Sequence, residues 1–278
     1  LSGPFGDELI AGGFIQRFSL FSFFILPIFF LEKSKKFSKY LIPILFIIFF
    51  TAIILSGNRM PLLLFVFSIF LILILTKQTR KYFFPFIIIF TVIFSIIFSL
   101  NSEVKTNFKT FYKEISKISI IVLNKDLGDE KIPPYFKEFS SFYETWKLNK
   151  LIGGGIKTFR YYCHLRANID KNSDFICNMH PHNYYLEILT ETGLIGFLIC
   201  IIFFSIILYI SFFKKYFSVS SLRNNIIIVP FMFLFLMEIF PLRSSGSFFT
   251  TLNTTYIFLI IGILIGLIRK ENSIENKH

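Results

Sequence analysis

Seven uninterrupted apolar runs, at residues 14–31, 40–55, 61–76, 83–100, 193–213, 226–242 and 248–268, limit this chain more than any other feature. They are runs rather than stripes, and most approach the roughly 17–25 residues that a helix needs to cross a bilayer. A spanning β-barrel would instead show segments of about ten residues alternating apolar and polar, and these do not alternate. Composition agrees: 54% hydrophobic residues, 41 Phe and a mean hydropathy of +0.66 exceed what a soluble core of 278 residues could bury. The expected fold is all-α, a polytopic transmembrane helical bundle of about seven spans.

Short cytoplasmic loops retain Lys and Arg, so the basic residues orient the bundle. Lys33, Lys35, Lys36 and Lys39 follow the first run; Lys77, Arg80 and Lys81 the third; Lys214, Lys215 and Arg223 the fifth; Arg269, Lys270 and Lys277 the last. The alternate connections hold only Arg59 and Arg243, with Arg17 at the start of the first run. The long connection carries thirteen Lys and Arg, but loops of that length translocate regardless of charge, and parity places it outside. The expected organisation is four spans in residues 1–100, an external loop in 101–182, and three spans with a cytoplasmic tail in 183–278. Nearly half of the 29 basic residues behind the net charge of +12 are this topogenic set, and the charge gives no reason to expect nucleic-acid binding. Leu1 is not an initiator Met, and an external LSGPFGDELIAGG segment with no span before it implies further helices upstream.

Cys200 falls inside a run and reads as a small buried apolar residue. Cys163 and Cys177 share the external loop, where an oxidising compartment favours a disulfide contributing roughly 3 kcal/mol. His164, His180 and His182 lack zinc-site spacing with these cysteines, so no metal is expected. Within the loop, Phe108, Phe111, Tyr112, Ile115, Ile118 and Val122 fall at helical spacing while Lys105, Lys109, Lys113 and Lys117 form an i,i+4 ladder. This is an amphipathic helix, either a solvated face over packed aromatics or a seat for anionic lipid or a diphosphate-linked glycan. Phe136, Phe139, Tyr143 and Trp146 mark a second helix, expected to stop at Gly153-Gly154-Gly155. That glycine run is either a plain turn or a backbone cradle that approaches a ligand.

The most unusual stretch is NMHPHNYYLEILTETGLIGFL, residues 178–198, where the loop returns to the membrane. Asn183 is a candidate N-cap for a helix beginning near Tyr184, which puts His182 at the positive end of the helix dipole. That position disfavours imidazolium and keeps the ring neutral, as a general base requires. A lone interfacial His is otherwise structural. Glu187 and Glu191, i,i+4 on one face, are either acids favoured near a helix start or partners for an Arg or an acceptor.

His182, Asn183, nine residues and then Gly193-Leu194-Ile195-Gly196 resemble the signature of the O-antigen ligase and polymerase family: a His, then Asn, Ser or Gln, nine residues, and G-x-x-G. LIGGGIKTFRYYC, SGNRMPLLL and LSGPFGDELIAGG are similar to other external segments of that family. The resemblance makes the external side the periplasm of a bacterial inner membrane. It implies a metal-independent, cofactor-free, inverting transfer from an undecaprenyl-diphosphate-linked glycan to a hydroxyl of a lipid A core sugar or another glycan. Carried onto this chain, it makes His182 the base, Arg59 the diphosphate ligand and Arg160 the second cation, with Arg243, Asn183 and Glu191 as further substrate-binding candidates. Arg243 reads equally well as a residue snorkelling at the interface. The chain departs from many relatives at SSFYETW, where they place an Arg before the Trp. The other classes to weigh are a transporter of small anions or glycolipid and an inactive scaffold; the only charges inside the runs, Arg17 and Glu238, lie near span ends, which speaks against a transport path.

Overall fold

The structure, a computed structural model, describes residues 11–31, 35–75, 80–122, 134–166, 177, 182–216, 228–243 and 246–275. Residues 1–10, His180 and the loop residues Lys33, Lys77, Arg223 and Lys277 lie outside that set. Every regular element among the described residues is helical: α1 (Ala11–Leu31), α2 (Lys35–Leu55), α3 (Arg59–Leu75), a 3-10 turn (Arg80–Tyr82), α4 (Phe83–Leu100), α5 (Ser102–Val122), α6 (Pro134–Trp146), α7 (Phe159–Cys163), α8 (Tyr184–Leu208), a π-helical continuation (Tyr209–Tyr216), α9 (Ile228–Glu238) and α10 (Thr251–Glu275). Each apolar run is centred on a helix, the form that satisfies every backbone group within the segment when no water is available. Among the described residues, three helical stretches are long and apolar enough to cross a membrane by length and composition: Phe83–Leu100, Tyr184–Phe212 and Thr251–Lys270. Pro43–Leu55, Arg59–Leu75 and Ile228–Glu238 are apolar but shorter.

One compact unit comprises residues 1–113 and 225–237. Its core is aromatic. Phe46 of α2 lies 5.3 Å from Phe50, 5.9 Å from Phe65 of α3 and 4.9 Å from Phe86 of α4, and Phe50 meets Phe90 of α4 at 5.1 Å. Lipid tails are as apolar as these side chains, so such helices associate through dispersion and fit, to which stacked rings contribute well. Phe21 of α1 packs edge-on against Phe231 of α9 at 4.9 Å. The turn between α2 and α3 is closed by Ser56, whose hydroxyl donates to the Ile53 carbonyl at 2.7 Å and accepts from the Asn58 amide at 3.4 Å. Arg59 is thereby placed as the first residue of α3.

The second unit comprises residues 114–224 and 238–278. Phe142 of α6 stacks on Phe159 of α7 at 3.5 Å, and both join the disulfide-bonded Cys163 and Cys177 and Leu186 of α8 in a small buried cluster. The two cysteine Cα atoms are 5.5 Å apart. Arg166 donates to the Cys163 carbonyl at 2.8 Å and lies 3.3 Å from its sulfur; burial draws the guanidinium pKa down.

One expectation for this region is corrected. The second loop helix ends at Trp146, not at the glycine run, because the chain turns at residues 147–150 and the Trp146 indole donates to the Lys150 carbonyl at 3.0 Å. The stripe of aromatic positions that marks this helix is not its buried face. Phe139 and Tyr143 are exposed, while Glu138, Ser141, Phe142 and Thr145, also at helical spacing, are buried.

Candidate active site

The helix carrying the His motif is broken, and the break organises the site. Gly193 has φ 68° and ψ −171°, so two helical stretches meet there and leave backbone groups without helical partners. Residues 150–155 supply them. The Leu194 and Ile195 amides donate to the Lys150 and Leu151 carbonyls at 2.9 and 3.1 Å; the Gly154 and Gly155 amides donate to the Thr190 and Glu191 carbonyls at 3.3 and 2.8 Å. Backbone lies directly on backbone. A Cβ on Gly193 would sit 2.4 Å from the Gly153 nitrogen and the Leu151 carbonyl, and one on Gly153 (φ 69°) would sit 2.4 Å from the Glu191 carbonyl. Both glycines are therefore required by left-handed φ and by closeness at once. Gly153-Gly154-Gly155 approaches the chain's own broken helix, and its three amides donate to the Asn149, Thr190 and Glu191 carbonyls.

Two side chains complete this clasp. Thr190 donates to the Phe142 carbonyl at 3.1 Å, tying α6 to α8. Glu191 is buried, and its Oε2 accepts the Lys157 amide at 2.7 Å. Lys157 has φ 61°, a left-handed value that this bond helps to hold. The loop then runs directly into α7, on which Arg160 is exposed.

At the start of α8, Asn183 has extended φ/ψ and its Oδ1 accepts from the Tyr185 and Leu186 amides at 3.0 and 3.2 Å, so it is the N-cap. Its other end reaches away: Nδ2 donates to the Pro241 carbonyl at 2.7 Å. The Tyr185 hydroxyl donates to the Ile239 carbonyl, and the Glu187 carboxylate accepts from the Ser247 hydroxyl and, at 2.5 Å, from the Phe248 amide. Three successive odd-numbered side chains thus grip the connection between α9 and α10. Within it, Arg243 is 7% exposed and forms a 2.5 Å ion pair with Glu238, which is fully buried. An ion pair is the arrangement in which a charge survives burial.

His182 sits immediately before this cap with φ 46°. Among the described residues, it and Lys157 are the two non-glycine residues at positive φ. Such backbone persists where the surroundings over-determine it. His182, Asn183, Glu191, Arg160, Arg243 and the disulfide all belong to the second compact unit, with Asn183 bonded into the turn that carries Arg243 and Glu191 bonded into the loop that leads to Arg160. Arg59 belongs to the first unit, where its guanidinium lies over the Phe111 ring of α5 at 5.6 Å. Among the described residues, no three His, Cys, Asp or Glu side chains gather as metal ligands would.

A sequence profile for O-antigen ligase matches residues 44–201, more than half of the chain, and so spans the SGNR turn, the clasp and the His motif. The chain belongs to the O-antigen ligase family. Membership makes it a glycan-transferring membrane protein of polysaccharide or lipopolysaccharide biosynthesis, with a lipid-linked glycan and a glycan acceptor as its general partners. No curated protein and no solved structure matches this chain. The sequence offers Glu187 as an acid favoured near a helix start or as a partner for an Arg or the acceptor, and its partners in the structure are Ser247 and Phe248; the pairing of the two glycine groups is not visible in the sequence, although both sit in the segments that carry the family resemblance.

Proposed function

We propose that this member of the family transfers a glycan from undecaprenyl diphosphate to a hydroxyl acceptor, a lipid A core sugar or another glycan chain, at the periplasmic face of the bacterial inner membrane. The acceptor hydroxyl gives its proton to the neutral imidazole of His182 as its oxygen attacks the anomeric carbon on the side opposite the diphosphate. The new glycosidic bond forms as the old bond to phosphate breaks, so the anomeric configuration inverts and undecaprenyl diphosphate departs. Arg59 and Arg160 hold the diphosphate oxygens and offset the charge growing on them, which two-pronged guanidinium groups do well. No divalent metal takes part.

Asn183 and Glu191 act by holding the site: the first fixes the helix start behind His182, the second fixes the loop that leads to Arg160. Arg243, held by Glu238, contributes a fixed cation to the turn that Asn183 grips. The observation that carries the reading is the placement of His182, at left-handed φ against a fully engaged N-cap. The alternation of basic and nearly uncharged connections supports the periplasmic side.

The test is transfer in vitro by the complete protein in proteoliposomes, from a synthetic undecaprenyl-diphosphate glycan with EDTA present. Product should form under EDTA, and Arg59→Lys should reduce it at least about tenfold, because an ammonium keeps the charge and loses the planar geometry. Loss of product under EDTA with recovery on adding metal would overturn the metal-free mechanism. Glycan movement across the vesicle without any new glycosidic bond would overturn transfer itself.

A further inference from the structure

We propose that the first half of α5 is an interfacial helix whose Lys105, Lys109 and Lys113 bind the phosphate groups of anionic phospholipids. The argument starts at the corner before it. One residue, Asn101, separates α5 from the membrane-length helix α4; it is extended (φ −109°, ψ 106°), its amide closes α4 on the Ile97 carbonyl at 2.9 Å, and its side chain accepts the Val104 amide at 3.0 Å to open α5. The chain therefore turns sharply at the end of a candidate span.

It turns back rather than away. Phe108 of α5 meets Phe94 of α4 edge-on at 5.3 Å, and the two residues lie at equal distances along the chain on either side of Asn101. At 1.5 Å per residue, Phe94 is about 9 Å below the end of α4. That is the depth of roughly 5–10 Å at which an amphipathic helix beds into the boundary between headgroups and acyl chains. With α4 about 27 Å long, its end lies close to the edge of the hydrocarbon.

The side chains on α5 are sorted as such a position requires. Val104 is buried, and Phe108 faces α4. Lys105, Lys109 and Lys113 are exposed and repeat every four residues, about 6 Å apart along the axis. Tyr112, between the two faces, is 75% exposed, a ring with a polar tip of the kind that collects at headgroup level. Residues 102–117 of α5 carry Lys105, Lys109, Lys113 and Lys117 against Glu103 and Glu114, a net positive stretch that an anionic partner complements. Lysines near a membrane surface reach headgroup phosphates with their flexible stems, and each strengthens association about fivefold. None of Lys105, Lys109 and Lys113 belongs to the transfer machinery proposed above, so this inference stands or falls separately.

The experiment is hydrogen–deuterium exchange of the complete protein in nanodiscs of phosphatidylglycerol and, separately, of phosphatidylcholine, with α4 amides as the internal reference. Amides of residues 105–113 should exchange at least tenfold more slowly in phosphatidylglycerol. The triple variant Lys105→Gln, Lys109→Gln, Lys113→Gln should lose that difference, the triple Arg variant should keep it, and 0.5 M NaCl should reduce it. Equal exchange of the unaltered protein in the two lipids would overturn the proposal without recourse to any variant. Retention of the full difference by the triple Gln variant would do the same, and would point to a protein or glycan partner for this face.

Discussion

Helices α4 and α8 read alike in sequence, each a membrane-length apolar segment, and the structure puts them to opposite uses. In α4 the helix is continuous, only Phe86 is buried, and Phe86, Phe90, Phe94 and Phe98 form a ladder of rings 5.7–6.3 Å apart along one face. In α8 the first turns bury Tyr184, Glu187, Ile188, Thr190 and Glu191, and the helix is broken at Gly193. The difference teaches what an apolar run can hide. A helix that merely spans has every backbone group satisfied internally and needs only apolar side chains. One that carries the proposed base at its start must also be held in place, and α8 is held by buried carboxylates and a gap in its own hydrogen bonding.

The largest way to break the contrast is Gly193→Ala. The methyl group would meet backbone on the opposing loop and impose a left-handed φ on alanine, so the clasp should open at a cost of more than about 4 kcal/mol. Exchange at the Gly154, Gly155, Leu194 and Ile195 amides would report it, and unchanged protection there would refute the clasp. Glu187→Ala should come next, at about 2–3 kcal/mol, because the Phe248 amide is left without its acceptor. Thermal unfolding and the exchange rate of that amide measure it.

A smaller effect of the opposite sign is expected at Glu138 on α6. It is 6% exposed, one carboxylate oxygen has no hydrogen-bond partner, and burial raises its pKa. A carboxyl group whose pKa is raised by folding favours the native state when protonated and opposes it as pH rises past the ordinary carboxylate range. Glu138→Gln should therefore stabilise the protein by about 1 kcal/mol at pH 7–8, with the gain fading toward pH 4. A pH-independent difference would exclude this account. The smallest effect belongs to α4. Ile96→Leu, on an exposed and lipid-compatible position, should change stability by less than about 0.5 kcal/mol, and a larger loss would show that α4 is not the featureless member of the pair.

Local chemistry made much of this architecture legible. The seven runs gave the helices because apolar length is a property of contiguous residues, and Asn183 gave the start of α8 because a cap is a decision taken within four residues. The amphipathic helix after Asn101 was visible for the same reason, in its 3.6-residue period. The clasp was not. Its hydrogen bonds join residues 34–48 positions apart, and the sequence shows only two separate groups of glycine, each of which suits an ordinary turn. The buried face of α6 was hidden by a competing aromatic stripe: Phe139 and Tyr143 look like core, yet Ser141 and Thr145 are the residues small enough to let α6 approach. Glu187 was ambiguous because a carboxylate near a helix start is favoured by the dipole whatever else it does. Its real partners, Ser247 and Phe248, are far along the chain.

The central claim is that the clasp and the N-cap exist to present His182 as the base of glycan transfer. Its most direct test is His182→Ala in the complete protein, assayed for transfer from a synthetic undecaprenyl-diphosphate glycan, with protection of the Gly154, Gly155, Leu194 and Ile195 amides followed in the same preparation. The account expects transfer to fall by at least about a hundredfold while abundance and amide protection stay near those of the unaltered protein. Near-normal turnover with the clasp intact would contradict it.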